Sequence, residues 1–252
     1  MKLRFQTKAS QPITTTILPP ELRLMILEEL ASHDEKHHMA SWASVSKEWQ
    51  SFFEPLLWQT LTFRPSISRS GFLGFHRFIK GYRKSLVKKI RLHVRMEEYA
   101  CEQCDRLGGP DRNIRILKRN KTRFSASLEY LFHFLADWTG ETSGTGITLE
   151  LGAIWTSGSH CLHSQSPRYS PTSPWLRSLS KLCLDRWIPL PKAPIITGLS
   201  FDQTLRQSIS ASLILSMLES LPCLKQANYE SQLIIEQLAP YISEAQKSIL
   251  FQ

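Results

Sequence analysis

Long apolar runs are missing from this sequence. None approaches the ~20 residues that a membrane-spanning helix needs, which excludes a chain threaded through a bilayer on helices. Cysteine is scarce: five among 252 residues. That odd count forms no disulfide framework and points to a reducing compartment, the cytoplasm and/or the nucleus. Residues 1–16 lack the apolar segment of a secretory signal. Lys2, Arg4, Lys8 and several Thr give them a faint likeness to a transit peptide, and a frayed tail is the expected state. Collagen-like and coiled-coil repeats are absent too. With 42% hydrophobic and 21% charged residues, the composition is that of an ordinary globular chain, and the length suits one or two domains.

Catalytic signatures are equally sparse. No Gly-x-Ser-x-Gly elbow occurs. Gly140 to Gly146 is Gly-rich but lacks the Lys-Ser/Thr of a phosphate loop, so it reads as a turn. His33 and His37 have i, i+4 spacing, yet no Glu completes a metalloprotease helix, and with His38 they read as exposed loop residues. The sharpest chemical candidate is Cys101-x-x-Cys104. With His93, or with His160, Cys161 and His163, it would supply a tetrahedral zinc site. A partner pair at zinc-site spacing is missing, and solvated thiols are the expected reading. A redox role would need a thioredoxin-like βαβ setting that residues 105–110 do not provide. Nothing local supports an enzyme, although active sites assemble across distance, and no cofactor or metal is expected.

Charge is concentrated. The chain nets +9, but residues 76–123 hold 15 Lys and Arg against 5 Asp and Glu. That band therefore carries +10, and the other 204 residues net −1. A band of this kind suits an acidic or phosphorylated partner, or nucleic acid. No helix-turn-helix spacing, aromatic RNP pattern or Cys2His2 finger accompanies it. A solvated face plus a basic loop accounts for it as well, so nucleic-acid binding through residues 76–123 stands as the alternative reading.

The apolar pattern divides the chain. Residues 17–61 form a compact helix-like block, and residues 62–71 look like an exit strand and turn. A short helix is expected over 72–82, a strand over 86–94, and a charged Gly/Pro-broken loop over 102–121. Leu128, Leu131, Phe132, Leu135 and Trp138 place a helix over 124–138. A short strand follows at 147–151. Residues 157–175 are rich in Ser, Pro and His and read as a mobile loop, with Ser-Pro steps at Ser166, Ser170 and Ser173. Strands are expected at 179–184, 195–201 and 224–229, helices at 210–221 and 231–241, and a last strand from 249. A strand-helix unit recurring at about 20–30 residues is the mark of a leucine-rich-repeat-like solenoid, although a generic α/β fold alternates similarly.

The block at 17–61 carries the functional signal. Leu18-Pro19-Pro20-Glu21 opens a helix on which Leu22, Leu24, Met25, Ile26, Leu27 and Leu30 leave little polar face. Pro suits the first turn, where no amide donor is needed, and Glu21 meets the positive end of the dipole. A His-rich polar loop at 32–38 precedes Trp42, Val45, Trp49, Phe52 and Leu56, which step by three and four. A module of ~45 residues buries too little of its own surface to be comfortable alone, so its surplus apolar surface needs a partner or the rest of the chain.

Leu18-Pro19-x-Glu21, Ile26 and Leu30, then Val45-Ser46-Lys47-Glu48-Trp49, then Trp58 and Leu61, resembles the F-box motif. The His33–His38 stretch departs from it, since the family often has Pro and Leu there. Phe52 to Pro55, the helix ending in Trp138, and residues 214–230 look like fungal F-box proteins with degenerate repeats. The resemblance implies a mixed α/β chain: a small helical F-box at 17–61, then an irregular leucine-rich-repeat-like solenoid over 62–252. It implies a substrate-receptor subunit of an SCF-type ubiquitin ligase, with no chemistry of its own. The F-box would bind a Skp-type adaptor, and through it a cullin-RING scaffold, while the remainder selects an unknown protein substrate. Leu18, Pro19, Leu22, Ile26, Leu30, Val45 and Trp49 are the adaptor-binding candidates, some of which must instead be module core. A scaffold with an F-box-like module outside any ligase is the other alternative.

Overall fold

A computed structural model describes residues 18–33, 36–65, 77–97, 109–138, 146–156, 189–202, 205 and 209–228. The chain forms two compact units that meet in sequence between Leu57 and Trp58. The fold is mixed α/β, built from helices and one parallel sheet.

The first unit is helical. Its elements are α1 (Pro20–His33), α2 (Lys36–Trp42) and α3 (Lys47–Trp58), the last residue of α3 belonging to the second unit. Pro19 supplies the first carbonyl acceptor of α1, to the Arg23 amide at 3.1 Å. Ser46 caps α3: its hydroxyl accepts from the Trp49 amide at 3.3 Å, and its carbonyl from the Gln50 amide at 2.8 Å. The hydroxyl satisfies one orphan donor of the first turn while the carbonyl takes the first intrahelical bond, which explains why Ser stands before Lys47. Arg23 ties α1 to α3 through Glu48 at 2.8 Å. The core is small: Leu27, Met39 and Phe53, with Leu30, Trp42, Trp49, Phe52 and Leu56 packed around it. Phe53 lies 5.2 Å from the Trp42 ring and 5.8 Å from that of Trp49.

The second unit is a five-stranded sheet of β1 (Thr60–Phe63), β2 (Lys89–Glu97), β3 (Ile147–Thr156), β4 (Ile196–Phe201) and β5 (Gln226–Asn228). All neighbours are parallel, and the spatial order follows the sequence order. Register aligns Leu61, Ile90, Leu149, Leu199 and Ala227 in one row. Phe63, Leu92, Leu151 and Phe201 form the next. All are buried, in the main core of the unit. Because side chains alternate along a strand, a one-residue slip would expose a whole row; burying each Leu or Phe contributes about 2 kcal/mol against it. The helices are α4 (Tyr82–Leu86), α5 (Gly109–Ala136) and α6 (Ala211–Ser220). Ser210 caps α6 by accepting from the Leu213 amide.

Several boundaries differ from expectation. The largest correction is α5, which occupies residues 109–121 of the loop expected at 102–121, the rest of which lies outside the described residues. Pro110 falls in its first turn, where its missing donor costs nothing. Ile116, Leu117, Asn120, Phe124, Leu128, Leu131 and Leu135 then step by three and four along the buried face. The intervening Arg115, Lys118 and Arg119 are exposed, so the charge lies on one face of a helix. Asn120 is fully buried and holds the end of β2, donating to the Glu97 carbonyl at 2.8 Å and accepting from its amide at 2.9 Å.

Of the helix expected over 72–82, residues 72–76 lie outside the described residues and Arg77 and Phe78 are helical; a separate short helix follows at Tyr82–Leu86, opened by Gly81 at φ 54°. The polar loop expected at 32–38 is largely helical, the end of α1 and the start of α2. Trp58 and Leu61 pack with the sheet core rather than the helical module. β3 extends to Thr156, beyond the expected 151. The strands expected at 195–201 and 224–229 and the helix at 210–221 are present with end shifts. The tail at 1–16, the loop at 157–175, the strand at 179–184 and everything expected beyond residue 230 lie outside the described residues.

Candidate functional site

Two surfaces stand out, one on each unit. On the helical unit, large apolar side chains face water. Leu18, Leu22, Leu24, Met25, Ile26 and Val45 are all exposed, Met25 at 62% and Val45 at 63%. Leu22, Met25 and Ile26 are spaced i, i+3, i+4 and so share a face of α1. Leu27, by contrast, is 4% exposed and points into the small core. The near absence of a polar face on α1, legible in the sequence, thus resolves into one stripe used for folding and another left over.

The adaptor-binding candidates divide accordingly. Leu18, Pro19, Leu22, Ile26 and Val45 are exposed, whereas Leu30 and Trp49 are half-buried against the core. Leu24 and Met25 are exposed as well, and nothing in the sequence of a nearly all-apolar helix marks which side is dry.

The second surface is the sheet face opposite the buried rows. Its outward positions are Thr60 and Thr62 on β1, then Lys89, Arg91, His93 and Arg95 on β2. Thr148, Glu150 and Gly152 follow on β3, Ser200 on β4, and Gln226 and Asn228 on β5. Glu150 is the hub. Its carboxylate pairs with Lys89, with Arg91 at 3.3 Å, and approaches His93 Nε2 at 3.7 Å. Burial pushes the Glu150 pKa up, but the hydrogen bond and charge of Lys89 and the charge of Arg91 outweigh it, so the carboxyl sits below its usual value. Gly152 lies opposite His93, whose ring covers it: a Cβ there would meet His93 Cδ2 at 2.6 Å. Such hydroxyl, amide and charged groups can bind an extended polar chain by hydrogen bonds and ion pairs.

The chemistry candidates fare differently. His93 lies on this sheet face, while Cys101, Cys104, His160, Cys161 and His163 lie outside the described residues. His38 is exposed, its ring 6.3 Å from that of Trp42. Among the described residues, no group of three or more His, Cys, Asp and Glu is arranged to hold a metal ion. Among them, too, no helix is long and apolar enough to cross a membrane. Comparison with known proteins gives no matching family model, no matching curated protein and no matching solved structure.

Proposed function

We propose that this chain is a substrate-receptor subunit of an SCF-type ubiquitin ligase. The helical unit is an F-box that docks on a Skp-type adaptor, and the sheet unit selects the protein to be ubiquitinated. The observation that carries the reading is the outward placement of Leu18, Leu22, Ile26 and Val45 on a unit whose own core is small. Exposed apolar residues in such number favour association. The parallel sheet in sequence order supports a solenoid-like, leucine-rich-repeat-type second unit, since each crossover returns the chain beside the strand just left.

The mechanism is proximity. The receptor holds the substrate near the ubiquitin-charged enzyme and raises the effective concentration of the acceptor lysine, with no catalytic group of its own. Co-expression with a Skp-type adaptor, followed by purification on the adaptor's tag, tests it. A stoichiometric complex is expected, weakened by about 2–4 kcal/mol in the Leu18→Ala/Pro19→Ala variant. A soluble chain that never co-purifies contradicts the reading.

A further inference from the structure

The outward face of the sheet holds a charge imbalance that folding does not require. Along β2 its positions are Lys89, Arg91, His93 and Arg95. β3 answers with one acid, Glu150, which holds Lys89 and Arg91. Asp202, just after β4, lies beside Gly152 on the same face, so the three cations of β2 still exceed the acids facing them. The next acid on β2, Glu97, is taken by Arg119 at 2.9 Å and Arg123 at 2.7 Å, both from α5. Arg95 stands opposite Ile154 in the register, is exposed, and has no hydrogen bond or ion pair among the described residues. Beside it, His93 Nε2 is shielded from solvent and also lacks a hydrogen-bond partner. Arg91 keeps 41% of its side chain accessible despite its bond to Glu150. The described side chains on the neighbouring strands add hydroxyls and amides: Thr62, Ser200, Gln226 and Asn228.

We infer that this strip seats an acidic segment of a protein partner, with a carboxylate of that segment on Arg95 and the exposed side of Arg91. The inference rests on the receptor reading and gives its substrate surface a chemical class. Charge complementarity sets the sign of the ligand. The polar neighbours suit a peptide, which brings its own amides and carbonyls. A single-stranded nucleic acid is the poorer occupant, because it needs aromatic faces for its bases and the outward positions named here offer none beyond the His93 imidazole. Glu150 sets the threshold: it neutralises part of the strip from within, so an incoming carboxylate is attracted mainly by Arg95.

The test is a fluorescence-anisotropy titration of the full chain with a fluorescein-labelled Glu-Gly repeat peptide at low ionic strength. Binding is expected, with a Lys-Gly repeat inert. Arg95→Glu should weaken it about tenfold. Lys118→Glu, the same charge change at an exposed position of α5, should weaken it less than about twofold, because separated surface charges are screened. Glu150→Gln should tighten binding about threefold by unmasking Lys89 and Arg91. Equal effects of Arg95→Glu and Lys118→Glu would overturn the inference, as would a single-stranded oligonucleotide that binds where the acidic peptide does not. Adaptor co-purification is run on the same variants. Retained adaptor with no peptide binding overturns the acidic-segment inference alone. Retained peptide binding with no adaptor overturns the receptor reading and leaves the strip's preference standing.

Discussion

The two units put similar residues to opposite use. In the sheet unit, Leu61, Ile90, Leu149 and Leu199 form a closed row and the polar residues of the same strands look outward. In the helical unit, Leu22, Met25 and Ile26 look outward, while Leu27, on the same helix, supplies part of the core. An apolar residue on a period-2 strand has a face assigned to it by its neighbours. On a helix that is apolar nearly all round, only tertiary contact decides. The difference teaches where each unit keeps its surplus: the sheet unit has spare charge, and the helical unit has spare apolar surface.

That contrast can be broken from its strongest point downward. Leu149→Ala empties the centre of a buried row and should cost about 3 kcal/mol, read as a lowered urea midpoint. A loss under about 1 kcal/mol would mean that the row is not the core it resembles. Ser46→Ala removes the cap of α3 and should cost about 1 kcal/mol, seen as faster hydrogen exchange at the Trp49 amide.

Glu150→Gln should cost about 1 kcal/mol near neutral pH, since two cations lose their shared anion. Its pH dependence has a definite sign. Folding lowers the Glu150 pKa, so the ionised carboxylate contributes its full stabilisation above the ordinary value of 4.5 and loses it as pH falls through the lower folded value. The stability gap between wild type and Glu150→Gln should be level at neutral pH and close below 4.5. A gap that widened on acidification would refute the arrangement.

Leu22→Ala should change stability by less than about 0.5 kcal/mol, although the deletion matches that of Leu149→Ala in chemistry. The pair of Leu variants is the sharpest form of the comparison, because the cost of each deletion is set chiefly by its burial.

Much of this was legible in the sequence, for reasons that differ by element. The strand expected over 86–94 is present, shifted to Lys89–Glu97, and the stripe of Leu128, Leu131 and Leu135 declares a helical period that the structure keeps. The first half of α5 was hidden because Gly109, Pro110 and a run of cations imitate a loop. Only Ile116, Leu117 and Asn120 betray the helical period there, and Asn120 is polar. The outward stripe of α1 was illegible for the opposite reason, an excess of apolar residues. The hub role of Glu150 is not legible in the sequence, because the Arg91 that it holds lies 59 residues away across a strand pairing, which no local spacing encodes.

The central claim is that the exposed apolar residues of the helical unit serve binding rather than folding. The direct measurement is calorimetric titration of a Skp-type adaptor into the wild-type chain and into the Leu22→Glu/Ile26→Glu variant, with a thermal melt of each. The account predicts that both melt alike and that only the wild type binds. A variant that binds the adaptor as tightly as wild type, or one that binds nothing because it no longer folds, would contradict it.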